Sequence, residues 1–222
     1  MLTDFFTKNL DIVFGIYGLS FVVMGIVILI QIQKRKDSSF KLSRVIGMLA
    51  GFGLSHGLNE WLEMFAIIKG YHSEIFNLIQ LMVLALSYIF LFEFGRRLIL
   101  LSSPKFLNKW VTVAFSLLVL MLIVTLKYEK SIWPRYFLGF PGGILSAAGF
   151  ILYYKSEESI LKPLNIYRFF FTSAAAIFVY SLLGGIIVSK ADFFPASVIN
   201  TDSFKNLFGF PVQVSRAVCS VI

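Results

Sequence analysis

The chain has 222 residues, of which 58% are hydrophobic and only 14% charged, and its mean hydropathy is +0.82. Soluble domains carry roughly 25% charged residues, so the composition excludes an ordinary water-soluble fold and predicts an all-α, polytopic membrane bundle. The formal net charge of +8 comes from cations lying between apolar stretches, with no nucleic-acid motif among them, and a single cysteine, Cys219, excludes an intrachain disulfide and any thiolate-only metal site.

In chain order, the N-terminus carries Asp4, Lys8 and Asp11 rather than the positive n-region of a cleaved signal peptide, so the first apolar stretch, 12–33, is expected to be retained as a span. A second span, 45–68, is equally long but carries His56, Asn59, Glu60 and Glu63; its Gly47 with Gly51, and Gly53 with Gly57, are spaced for close helix packing. The third, 75–97, has Asn77 and Gln80 toward one end and Glu93 with Arg96 and Arg97 at the other, the i, i+3 and i, i+4 spacing of an interfacial ion pair. Spans at 110–126, 136–154 and 169–189 follow, the fifth interrupted by Pro141, Gly142 and Gly143 and the sixth by Gly184 and Gly185. After the longest loop, 190–206, a seventh span over 207–222 contains Pro211, Gln213 and Arg216 and is still apolar where the sequence stops, which points to a longer parent protein. Continuous apolar runs of about 17–25 residues predict helices, because barrel strands alternate over about 10.

The loops at 34–44, 96–109 and 155–168 hold twelve Lys and Arg against seven on the alternate side, so the N-terminus is expected outside and the C-terminus inside. Trp110 and Trp133 fall near span ends, where aromatic belts form. The chain reads as one domain, 1–222, with short connections.

His56, Glu60 and Glu63 recur at i, i+4, i+7 and share one helical face. An ionised carboxylate at membrane depth costs several kcal/mol unless it is paired, hydrated or protonated, so this face is expected to line the bundle interior. Arg216 falls at the depth of Glu60, which predicts an Arg216–Glu60 ion pair beside His56. Pro141, Gly142, Gly143 and Pro211 are expected to kink the outer ends of their helices and open a cavity that Gln80 helps to line. The i, i+4 histidine–carboxylate spacing fits a structural pair, a proton-responsive pair or a metal ligand set with His56 and Glu60 as ligands. His72 lies in a loop, which disfavours a bis-histidine haem within one chain.

The stretches FGLSHGLNEWLEMF (Phe52 to Phe65) and GFPVQVSRA (Gly209 to Ala217) resemble the signature segments of the seven-helix membrane sensor region that precedes PAS, histidine-kinase or diguanylate-cyclase (GGDEF) modules in bacterial signalling proteins. His56, Glu60, Trp61, Glu63, Pro211, Gln213 and Arg216 carry the likeness. It implies a multi-pass domain of the bacterial cytoplasmic membrane that binds an unidentified small ligand, forms a homodimer and drives a cytoplasmic output module. No phosphate loop, nucleophile constellation or HExxH motif lies in these residues, so any enzymatic activity is expected outside them. A small transporter or ion channel using the same polar face, and a haem- or metal-binding redox subunit, are the alternative classes.

Overall fold

In lipid every backbone N–H and C=O must be satisfied within the segment, and the apolar runs duly fold as helices. The computed structural model describes residues 2–34, 41–71, 73–103, 108–126 and 130–221. Arg35, Lys36, His72, Lys105 and Lys127, which enter the sequence reading, lie outside these. After a short α1 (Leu2–Lys8), the long helices are α2 (Leu10–Lys34), α3 (Ile46–Lys69), α4 (Glu74–Ser102), α5 (Trp110–Thr125), α6 (Ile132–Ser156) and α7 (Tyr167–Ile186). Two shorter helices, α8 (Thr201–Phe208) and α9 (Val212–Val221), complete the chain.

The protein is all-helical, and among the described residues four helices, α2, α4, α6 and α7, are long and apolar enough to cross a membrane. The seven expected spans are thus reduced to four that meet both criteria. Helix α3 has the length, at 24 residues, but its polar face lowers its hydropathy. Helix α5 is apolar but has only 16 residues. The expected span over 207–222 is broken into α8 and α9, because Gly209 adopts a left-handed conformation (φ 77°) that ends α8, and Pro211 precedes α9 rather than kinking a continuous helix.

The helices pack as a ring in the order α2, α3, α4, α6, α7, α9 and back to α2, with α5 outside it against α4 and α6. Leu19, Val23, Ile26 and Ile30 of α2, and Leu117, Leu120, Met121 and Val124 of α5, remain exposed, as side chains facing lipid should. Glycines set the closest approaches. A Cβ on Gly57 would fall 2.6 Å from the Gly18 carbonyl oxygen, and one on Gly53 would fall 2.7 Å from the Phe21 carbonyl, so α2 and α3 meet backbone to backbone. Gly47, also expected to pack closely, has only an ordinary contact with Ile32.

Two π-helical turns shape the region above the centre. Pro141 has no N–H to donate, and just before it the helix widens over Arg135–Gly139, with Phe140 N–H bonding the Arg135 carbonyl. The second π turn, Leu182–Ile186, contains Gly184 and Gly185 and ends α7. The two turns pack against each other, Gly185 against Phe140. The backbone interruptions expected at these positions are therefore present, but they do not open space. Gly142 is pressed onto the Phe92 backbone and Gly143 onto Ser181, where an added Cβ would come within 2.3 Å of the Ser181 Cβ. Here glycine serves interhelical contact, not a cavity.

Candidate functional site

His56 projects from the middle of α3 into the centre of the ring and is completely buried. Five aromatic rings surround it: Tyr17 and Phe21 from α2, Phe52 from α3, Tyr88 from α4 and Tyr180 from α7, with centroids 4.9–5.9 Å from the imidazole. Its nitrogens are bonded on both sides. Nδ1 lies 3.1 Å from the Ser87 hydroxyl, and Nε2 lies 2.6 Å from the Tyr180 hydroxyl and 3.2 Å from that of Tyr17.

These partners fix the direction of several protons. Ser87 donates to the Leu84 carbonyl at 2.7 Å, and the His56 tautomer consistent with that bond carries its hydrogen on Nδ1, with the Ser87 oxygen accepting. Tyr17 donates to the Tyr180 oxygen at 3.4 Å, leaving the Tyr180 hydroxyl free to donate to Nε2. One turn along α3, Glu60 Oε1 lies 3.4 Å from Nε2 and accepts from the Asn59 amide at 3.2 Å. Asn59 and Glu60 are both buried, and Glu63, a further turn out on the same face, is half-buried. The shared face expected from the i, i+4, i+7 spacing is present.

The expected Arg216–Glu60 ion pair is not. Arg216 is buried on α9, but it donates to the Leu183 carbonyl from Nε (3.0 Å) and from its terminal nitrogen (2.7 Å), and to the Ile187 carbonyl (2.7 Å). The reason lies in the end of α7. A helix C-terminus leaves carbonyls without intrahelical partners at the negative end of the dipole, and a planar guanidinium can cap several at once. Arg135 does the same from the opposite side, donating to Gly184 O (3.0 Å) and to the Tyr88 hydroxyl (3.2 Å). Both arginines exert an electrostatic influence on Glu60 without contacting it.

Gln213 lies half-buried one turn before Arg216, and Pro211 is buried at the head of α9. Gln80 lies on α4 seven residues before Ser87, with its Nε2 buried and without a hydrogen-bond partner among the described residues. Pro141 is half-buried beside the packed glycines. An apolar cavity of about 640 Å³ is walled by Ile28, Ile46 and Phe150 and by the end of α9 at Cys219; Phe21 and Tyr180, which also line it, stand between it and His56. Among the described residues no three His, Cys, Asp or Glu side chains converge as a metal-ligand set.

Sequence reasoning missed Tyr17, Ser87, Tyr88, Tyr180 and Arg135. The tyrosines had a usable signal: each lies well inside a span, whereas tyrosines in membrane helices concentrate at the interfaces. Arg135 was counted among loop cations, since the widened turn that draws it inward has no simple sequence signature. The ion pair expected at Glu93 is present, with Arg96 bonding both carboxylate oxygens (2.6 and 2.7 Å), Arg97 bonding one (2.5 Å) and Thr112 donating at 2.7 Å. Comparison of the chain with family models, curated proteins and solved structures returns no match.

Proposed function

We propose that this chain is the sensory input domain of a bacterial signalling receptor, with seven membrane passes, its N-terminus outside and its C-terminus inside the cytoplasmic membrane. A signal acting on the His56 network alters the hold on α9, and α9 passes the change to a cytoplasmic histidine-kinase or diguanylate-cyclase module, working as a homodimer. The observation that carries this reading is the attachment of α9. Its only buried cation, Arg216, holds the carbonyls at the end of α7, the helix whose Tyr180 bonds His56. Ser220 also bonds Ser20, one turn from Tyr17 on α2. Helix α9 is therefore tied to both helices whose tyrosines bond the histidine, α2 and α7, which is how a two-state input couples to an exit helix. Helix α3 and α5 as further spans, and the excess of cations on one set of loops, fit the same topology.

The test is a fusion of the chain to a diguanylate-cyclase or histidine-kinase reporter. Arg216→Leu and Tyr180→Phe should change reporter output several-fold at equal membrane abundance. Output indistinguishable from the unmodified fusion in both variants sinks the reading. A scan of the phase of α9 relative to the reporter, one residue at a time, should give output that varies with helical period.

A further inference from the structure

We propose that His56 and Glu60 together form a proton-binding site inside the bundle, holding one proton between imidazole Nε2 and carboxylate Oε1. Proton positions argue for it. Because Ser87 is committed to the Leu84 carbonyl, Nδ1 keeps its hydrogen, so a neutral His56 offers only a lone pair at Nε2. That lone pair takes the Tyr180 hydroxyl. Glu60 Oε1 stands 3.4 Å from the same nitrogen. Without a further proton, an unprotonated nitrogen and an anionic oxygen would face each other in a buried, aromatic-walled site, an arrangement that is electrostatically repulsive and desolvated. With one proton the contact is attractive in either form, as imidazolium with carboxylate or as imidazole with carboxylic acid. The two forms differ only in where the proton rests, so the pair titrates as a unit.

The groups facing the pair are few. Tyr17 comes from α2, Asn59 and Glu63 from α3 itself, Ser87 and Tyr88 from α4, Arg135 from α6, Tyr180 from α7 and Arg216 from α9. Glu63 is half-buried one turn toward the end of α3 and gives the site its route to water: a proton leaving Glu60 passes outward to the Glu63 carboxylate and then to solvent. Loss of the proton leaves one negative charge before Arg135 and Arg216, the two side chains that cap α7. The consequence for signalling rests on the sensor reading. Proton binding does not.

The experiment uses the full chain in lipid nanodiscs. The chain has two histidines, so His72→Asn leaves His56 as the only imidazole. Its nitrogen-15 spectrum between about pH 4 and pH 9, the range spanning ordinary carboxylate and imidazole titration, should show Nδ1 protonated throughout and Nε2 changing with pH. Infrared difference spectra over the same range should show a buried carboxylic-acid carbonyl band that titrates with the same midpoint, vanishes in Glu60→Gln and persists in Glu93→Gln. A pH-invariant imidazole spectrum together with no carbonyl band assignable to Glu60 overturns the proposal, as does a band that survives Glu60→Gln. If Glu60→Gln fails to assemble, the imidazole spectrum of the otherwise unaltered cluster decides alone. If the pair titrates but the reporter fusion ignores pH and Arg216→Leu, the proton site stands and the sensor reading fails.

Discussion

Two buried carboxylates in this protein are held in opposite ways. Glu93 is saturated: Arg96 grips both oxygens, Arg97 and Thr112 take what remains, and only 14% of its side chain is exposed. Glu60 is more deeply buried yet forms no ion pair with an arginine or lysine among the described residues; its neighbours there are a histidine and an amide. The first arrangement can do only one thing, which is to stay ionised and clamp α4 to α5. The second is incompletely compensated, and a carboxylate in that position keeps a choice of protonation state. Charge saturation, not burial, separates a structural clamp from a site able to respond.

That contrast can be broken by mutation. Glu93→Gln removes the carboxylate charge that the buried Arg96 grips with two nitrogens and should cost about 3–5 kcal/mol, read by detergent-titrated unfolding, whereas the isosteric Glu60→Gln should cost about 1 kcal/mol or less. Equal losses would erase the distinction. Arg216→Leu removes three charge-assisted bonds and leaves the carbonyls of Leu183 and Ile187 bare in a low-dielectric setting, at about 3 kcal/mol; Arg216→Lys should recover only part, lacking the planar fork. Gly143→Ala pushes a methyl group into Ser181 and should cost about 1–3 kcal/mol, with the α6–α7 crossing shifted in cross-linking.

The smallest effect is expected at the surface pair Lys41–Glu157, whose atoms are 2.7 Å apart. The hydrogen bond and charge of Glu157 raise the Lys41 pKa. A cation whose folded pKa lies above its unfolded value stabilises fully below the unfolded value, about pH 10, and loses that contribution as pH climbs through the folded one. Lys41→Ala should therefore leave neutral-pH stability nearly unchanged and flatten the alkaline limb of the unfolding profile.

The helices themselves are legible because long apolar runs admit little else in lipid, and the shared face of His56, Glu60 and Glu63 follows from spacing alone. Arg216 does act electrostatically on Glu60, as an expectation from depth would have it. What depth did not reveal was the competition for its guanidinium. The carbonyls freed at the end of α7 lie in and just beyond the π turn at Leu182–Ile186, and no residue type announces a π turn. The same gap hid Arg135. Gly142 and Gly143 were readable as helix interruptions, but whether a glycine opens space or lets a neighbour in depends on the partner helix, here Phe92 and Ser181. Pro211 likewise marked a break, yet only the left-handed Gly209 beside it makes that break the end of a helix.

The glycine seam between α2 and α3 has a consequence for how the protein is made. A charged side chain at a helix centre costs about 3 kcal/mol to insert alone, and α3 brings Glu60 and Glu63 together with His56. Its neighbour in sequence, α2, is strongly apolar and offers Gly18 and Phe21 carbonyls at van der Waals range of Gly57 and Gly53. On the proposed topology, where α3 is a span, this seam lets the two helices enter the bilayer as a hairpin, α2 carrying its polar partner in. Gly57→Leu should leave α3 stalled outside the membrane in a glycosylation-tagged insertion assay, while α2 integrates normally.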